Sequence, residues 1–133
     1  MKNFLAALSI ILLTAFCGGA HAQNAQIQPF QLSGNTITFT AAVTCPTPVQ
    51  ATTAPNTTVQ YVVTNTGAVA AFISFGTAAQ ATANCVIPTA TAQAVYVILP
   101  LTQITITAYA NSFFTGITGS STAVIYVSPG VGS

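Results

Sequence analysis

TTVQYVVTNTGAVAAFISFG, residues 57–76, is the stretch whose reading decides the fold. Val59, Tyr61 and Val63 alternate with Gln60, Val62 and Thr64. After Thr66-Gly67-Ala68, the residues Val69, Ala71, Ile73 and Phe75 alternate with Ala70, Phe72 and Ser74. An extended chain points successive side chains to opposite faces, whereas a helix would scatter these residues around its circumference. Two strands are therefore predicted, and the Gly-containing separator between them predicts a hairpin.

The same grammar continues on both sides. Ile37, Phe39, Ala41 and Val43 alternate with Thr36, Thr38, Thr40 and Ala42, the cleanest half-buried strand of the chain. Pro46, Pro48 and Pro55 predict a loop over 45–56, with at most a short edge strand near Val49. Residues 77–84 are rich in Ala and read as a short helical turn or a crossover, and 85–87 as a brief strand ended by Pro88. Residues 94–99 are apolar on both faces, the pattern of a strand in the middle of the core. Strands follow at 103–109, 113–118 and 122–128, after which Pro129-Gly130-Val131-Gly132-Ser133 reads as release into a tail. The expected fold is all-β: a compact antiparallel β-sandwich of seven to nine short strands, wound as a jelly roll or Greek key. An outer-membrane barrel is the competing architecture, but its strands need about nine to eleven residues each.

Lys2 followed by the apolar run 4–16 and by Ala20-His21-Ala22 has the form of a secretory signal peptide, predicting cleavage after residue 22. The run is shorter than the ~20 residues of a membrane span, so no stable span is expected in the mature chain. The predicted organisation is a signal at 1–22, a flexible or strand-exchanging arm at 23–32, one domain at 33–130 and a tail at 131–133. Cys45 and Cys85 would be the cysteines remaining after cleavage. They are either a disulfide or two buried thiols, and export to an oxidising compartment favours the disulfide.

The sequence has no Asp or Glu, and its single basic residue and single histidine, Lys2 and His21, fall within the signal. General acid–base chemistry lacks its usual groups, so no catalytic residue is assigned to Ser74, Ser112, Ser120 or Ser121. Two cysteines without histidine or carboxylate do not complete a zinc or calcium site, and no cofactor motif is present. Phosphate-neutralising cations are missing, which argues against nucleic acid as a partner. Asn56-Thr57-Thr58 fits a glycosylation acceptor, a pattern too short to imply a sugar in so Thr-rich a chain.

The segments Val63-Thr64-Asn65-Thr66-Gly67 and Phe75-Gly76-Thr77, and the run GSSTAVIYVSPG at 119–130, resemble small β-rich proteins encoded in bacteriophages and prophages. The resemblance covers roughly residues 57–130. It implies a compact virion-associated or uncharacterised structural protein, with no catalytic set to carry over. The chain departs from that pattern in its export signal and in lacking charged residues near the tail.

A surface without charge has no long-range repulsion to keep copies apart. The expected function is a secreted or surface-displayed structural subunit that self-assembles into an extracellular filament or coat. Ile27, Phe30 and Leu32 on the arm, and the adjacent rings Phe113 and Phe114, are the candidate subunit contacts. In a strand those two rings face opposite ways, so one of them is expected to leave the core. The alternatives are a secreted module binding a neutral glycan or a cell-surface partner, and a phage-derived virion protein. Aromatic faces for a glycan would come from Tyr61, Tyr96, Tyr109 and Tyr126 with Phe113 and Phe114.

Overall fold

A computed structural model describes residues 29–53, 58–90 and 94–132 of the chain. In order, the elements are β1 (Gln31–Leu32), β2 (Ile37–Ala41), β3 (Val49–Gln50), β4 (Thr58–Asn65), β5 (Ala71–Gly76), α1 (Ala78–Ala83), β6 (Tyr96–Ile98), β7 (Gln103–Tyr109), β8 (Phe113–Thr118) and β9 (Ala123–Val131). They form two antiparallel sheets, one ordered β1/β2–β9–β4–β7 and the other β3–β8–β5–β6.

The pairing has a simple logic. β2 pairs with β9, β3 with β8, β4 with β7 and β5 with β6. The chain is thus one long hairpin folded at the β5–β6 connection and rolled up. Rolling inserts β9 between β2 and β4, and β8 between β3 and β5. This is the winding of a jelly roll.

Residues 57–76 do hold two strands, but not a hairpin. Both edges of β4 are occupied, by β7 and by β9, so β5 has no edge to join and crosses to the other sheet. Asn65, fully buried at the end of β4, shapes that corner. Its Nδ2 donates to the carbonyls of Val69 (2.8 Å) and Ile98 (3.1 Å), and its Oδ1 accepts from the Gly67 N–H at 2.8 Å. A Cβ on Gly67 would lie 2.7 Å from Ala123, so only glycine lets the corner pass this close to β9.

The alternation in β4 puts Val59, Tyr61 and Val63 inside, with Phe39, Ile106, Ile125 and Val127 from the same sheet. Ala71, Ile73, Ile98 and Phe114 come from the opposing sheet. Tyr61 and Phe114 meet across the interior with ring centroids 4.9 Å apart, and Phe75 stacks on Phe114 at 5.6 Å. Each fully buried large apolar side chain of this kind stabilises the fold by about 1.5–3 kcal/mol.

Three further sequence expectations are corrected. Residues 94–99 contain β6, but it is an edge strand with Tyr96 and Val97 exposed, because the roll gives it β5 as its one partner. Residues 85–87 form no strand, since Cys85 is held just behind the helix by the bond from its N–H to the Thr82 carbonyl. Residues 129–131 belong to β9 rather than to a tail. Pro129 fits there because residues 33–36 bulge away between β1 and β2, so no neighbour requires an N–H at that point; its carbonyl still accepts from Ser33. The described end of the predicted arm forms β1, Gln31 pairing with Val131 and Leu32 with Gly130.

Cys45 and Cys85 form a disulfide with a sequence separation of 40. It ties the loop after β2 to the end of α1, across the outer face of the second sheet. Two hydrogen bonds seat the same cover: Ser74 Oγ donates to the Ala81 carbonyl at 2.7 Å, and Thr115 Oγ1 to the Pro46 carbonyl at 2.7 Å. In the chain-entropy picture, closing this loop removes about 4 kcal/mol of denatured-state freedom. Replacing both cysteines, Cys45→Ala with Cys85→Ala, is expected to lower the unfolding free energy by about 2–4 kcal/mol. Urea unfolding checks it, and an unchanged midpoint would show that the link does not stabilise the domain.

Candidate functional site

The two sides of the roll differ. On one, β2 runs over both sheets: Ala42 bridges to Ile117 of β8, Gly34 bridges to Thr53, and the Thr118 N–H donates to the Ala42 carbonyl. On the other side, β7 pairs with β4 alone and β6 with β5 alone. Among the described residues nothing pairs with this side along its length, and the candidate site lies here.

β7 presents a regular edge. The Asn65 N–H donates to the Thr102 carbonyl at 2.9 Å, in line with the register that sets Thr64 opposite Gln103. Hydrogen bonding in an antiparallel pair alternates along each strand, so even-numbered residues bond to β4. Gln103, Thr105 and Thr107 consequently aim their N–H and C=O groups outward. Their side chains and that of Tyr109 are exposed on the outer face, while Ile106 and Ala108 are buried within. No charge, proline or bulge interrupts the strand, and these are the usual guards of a sheet edge.

Next to it, Tyr96, Val97, Leu99 and Leu101 expose apolar surface, Leu101 to 76 %. They follow one another through β6 and the turn into β7, so the apolar surface is not scattered.

At the far end of β7, two adjoining hollows of about 390 and 410 Å³ open between α1 and the β7–β8 turn. They share Gly76, Gln80, Tyr109 and Ser112; Phe75 and Asn84 line one, Asn111 and Phe113 the other. Gln80 is fixed by a capping box, its Oε1 accepting from the Thr77 N–H at 3.0 Å while its own N–H donates to Thr77 Oγ1 at 3.2 Å. Gly76, at φ +138°, leaves room for that side chain, which a Cβ would meet at 2.7 Å. Asn111 Oδ1 accepts from the Thr53 N–H at 3.1 Å.

Behind the hollows, the Tyr109 carbonyl accepts from Ser112 Oγ at 2.7 Å and from the hydroxyl of Tyr61 at 2.9 Å. Tyr61 is fully buried, and burial holds its phenol above the ordinary value of 10.0 despite the opposing hydrogen bonds. The lining combines amides and hydroxyls with aromatic rings and the small residues Gly76, Ala108 and Ala110, a surface of the kind that holds a neutral polar molecule. Among the described residues there is no group of three side chains able to hold a metal ion.

Of the predicted contacts, Phe113 is half-buried at the rim of one hollow. Phe114 is fully buried against Tyr61 and Phe75 and is not available as a surface contact of the folded domain; the two rings do face opposite ways. Phe30 is half-buried over Gly130, where a Cβ would fall 2.3 Å from its ring, and Leu32 is 66 % exposed. Ile27 lies outside the described residues. Of the four tyrosines, Tyr96, Tyr109 and Tyr126 are exposed, and Tyr61 is core. Sequence reasoning missed Gln80, Asn84 and Asn111; the Thr77-x-x-Gln80 spacing is the one signal that could have placed Gln80.

No family model matches the chain, and no curated protein or solved structure matches it either.

The tyrosines are the titrating side chains of the described residues, since both cysteines there are bonded. Because the folded state raises the Tyr61 pKa, its contribution to stability is complete below pH 10 and is lost as pH rises through the folded value. The urea midpoint is therefore expected to stay level from about pH 4 to 9 and to fall above about pH 10. Tyr61→Phe is expected to lose about 1 kcal/mol with its hydrogen bond and to flatten the alkaline fall. An equally steep fall in that variant would assign the effect to another group.

Proposed function

We propose that the chain is an exported structural subunit that self-associates, through the open side of its roll, into an ordered coat or filament. The observation that carries this reading is the unguarded pair of edges β6 and β7, bordered by Tyr96, Val97, Leu99 and Leu101. Edge backbone groups bond as readily to another chain as to water, and nothing charged on this side opposes a second copy. The disulfide accords with an oxidising destination. Jelly rolls are an architecture that coat proteins use, an analogy of fold that agrees with this reading.

Static light scattering of the purified chain is expected to show mass rising with concentration and little change between about 0.05 and 1 M salt, since no ion pairs are screened. Val97→Lys with Thr105→Lys sets one charge on each open edge and is expected to return the chain to monomer. A wild-type chain that stays monomeric at every concentration would sink the proposal.

A second reading, a neutral-glycan module, is favoured by the hollow beside Tyr109. Tyr109 is 78 % exposed and lines the hollow together with Gln80 and Asn84. Saturable binding on a glycan array, abolished by Tyr109→Ala with the urea midpoint unchanged, is the expected result. Binding untouched by that variant would place the glycan elsewhere.

A further inference from the structure

We infer that the partner of β7 is β7 of a second copy, paired antiparallel about a two-fold axis through Ile106. The inference rests on the self-association reading and specifies its interface. Such a contact is isologous, so a strand must complement its own reverse. The strand reads Gln-Ile-Thr-Ile-Thr-Ala-Tyr over Gln103–Tyr109, and reversal about Ile106 matches like with like. Ile104 meets Ala108 and Ile106 meets itself on the inner face. Thr105 meets Thr107 on the outer face, and Gln103 meets Tyr109.

Three features favour this register. First, the groups aimed outward belong to the odd-numbered residues, and these are the residues the two-fold brings opposite one another, so Thr105 and Thr107 of the second copy exchange both of their backbone bonds. Secondly, sliding the pair by two residues either way, to centre on Thr105 or on Thr107, shortens the overlap of the two strands, the Tyr109 carbonyl being already held by Ser112 and Tyr61 in any register. A slide by a single residue would set inner faces against outer ones. Thirdly, an axis perpendicular to the sheet keeps the two interiors on one side, so the first sheets of both copies become one continuous sheet. Thr–Thr pairs across strands are favourable, and with no charged residue in β7 no pair repels.

Cysteine cross-linking separates the registers. In the proposed one, Thr105 and Thr107 of the second copy form a hydrogen-bonded pair with Cα atoms about 5.5 Å apart, within the reach of a disulfide. Thr105 and its own copy stand on a diagonal of about 7–8 Å, beyond that reach. The chains to compare are Thr105→Cys, Thr107→Cys, their equimolar mixture, and the doubly substituted chain, which needs no exchange of subunits. After mild oxidation, mass spectrometry of the linked peptides scores each. The expected result is a 105-to-107 link between chains in the mixture and the double variant, several-fold above any link in either single variant. A single variant that cross-links as well as the mixture would overturn the register. No link in any of them, with wild-type association intact by light scattering, would overturn the β7 interface and leave self-association through another surface. A monomeric wild type would remove both.

Discussion

The structure depends on β4 having no free edge. β7 takes one side of it over Gln103–Tyr109 and β9 takes the other over 125–130, so the next segment cannot add to the same sheet. β5 must start a second sheet, and β8 and β6 then flank it. From that step the rest of the roll follows. The alternating apolar faces of β4, β5, β7 and β9 have to turn toward one another to leave water, and Tyr61 against Phe114 is where they meet. Asn65 makes the step possible by supplying, from one buried side chain, the hydrogen bonds that the corner backbone loses on leaving the sheet.

The absence of charge shapes how this interior and its cover are held. Several buried hydroxyls bond to neutral partners, Tyr61 to the Tyr109 carbonyl, Ser74 to Ala81, Thr115 to Pro46 and Thr118 Oγ1 to Ser121, whereas Ser33 Oγ, Thr53 Oγ1 and Gln60 Oε1 are buried without a protein partner. Each such bond contributes about 1 kcal/mol net, but a buried group left without its partner costs about 1–3 kcal/mol, so their main effect is to select one arrangement. None carries a large desolvation penalty of the kind a buried ion pair would bring. The same neutral groups, amides and hydroxyls, recur around the hollow at Tyr109.

Strand identity was largely legible because alternation is a local property. β2, β4, β7 and β8 fall where Ile37, Val59, Ile104 and Phe113 begin their patterns, and β5 begins at Ala71, one alternation after Val69. The linkage of Cys45 to Cys85 was also within reach, from cysteine number and the export signal. Pairing was not, because it depends on which edges are already taken. Hence Thr66-Gly67-Ala68 resembled a hairpin turn, although Gly67 is required by its approach to Ala123. β6 misled for a related reason: apolar residues on both faces usually mean a central strand, but here they mark an exposed edge. The hollow was hidden too, since Gln80, Tyr109 and Asn111 meet only after α1 folds back toward the β7–β8 turn.

The misleading pattern in β6 bears on function. A domain whose described residues include no Lys or Glu cannot guard an edge electrostatically, so it can only cover the edge with its own backbone or leave it open. It covers one side thoroughly, laying β1 and β2 along β9 and bridging Ala42 to β8 and Gly34 to Thr53. On the other side it keeps β7 regular, flanks it with Leu99 and Leu101, and lays α1, the helix of the described residues, over the outer face of the second sheet rather than over the edges. A monomer built to remain soluble would gain by moving that cover, or by admitting a single lysine into β7. The arrangement makes physical sense if the open side is finished by another molecule, and an edge whose sequence complements its own reverse is best finished by a copy of itself.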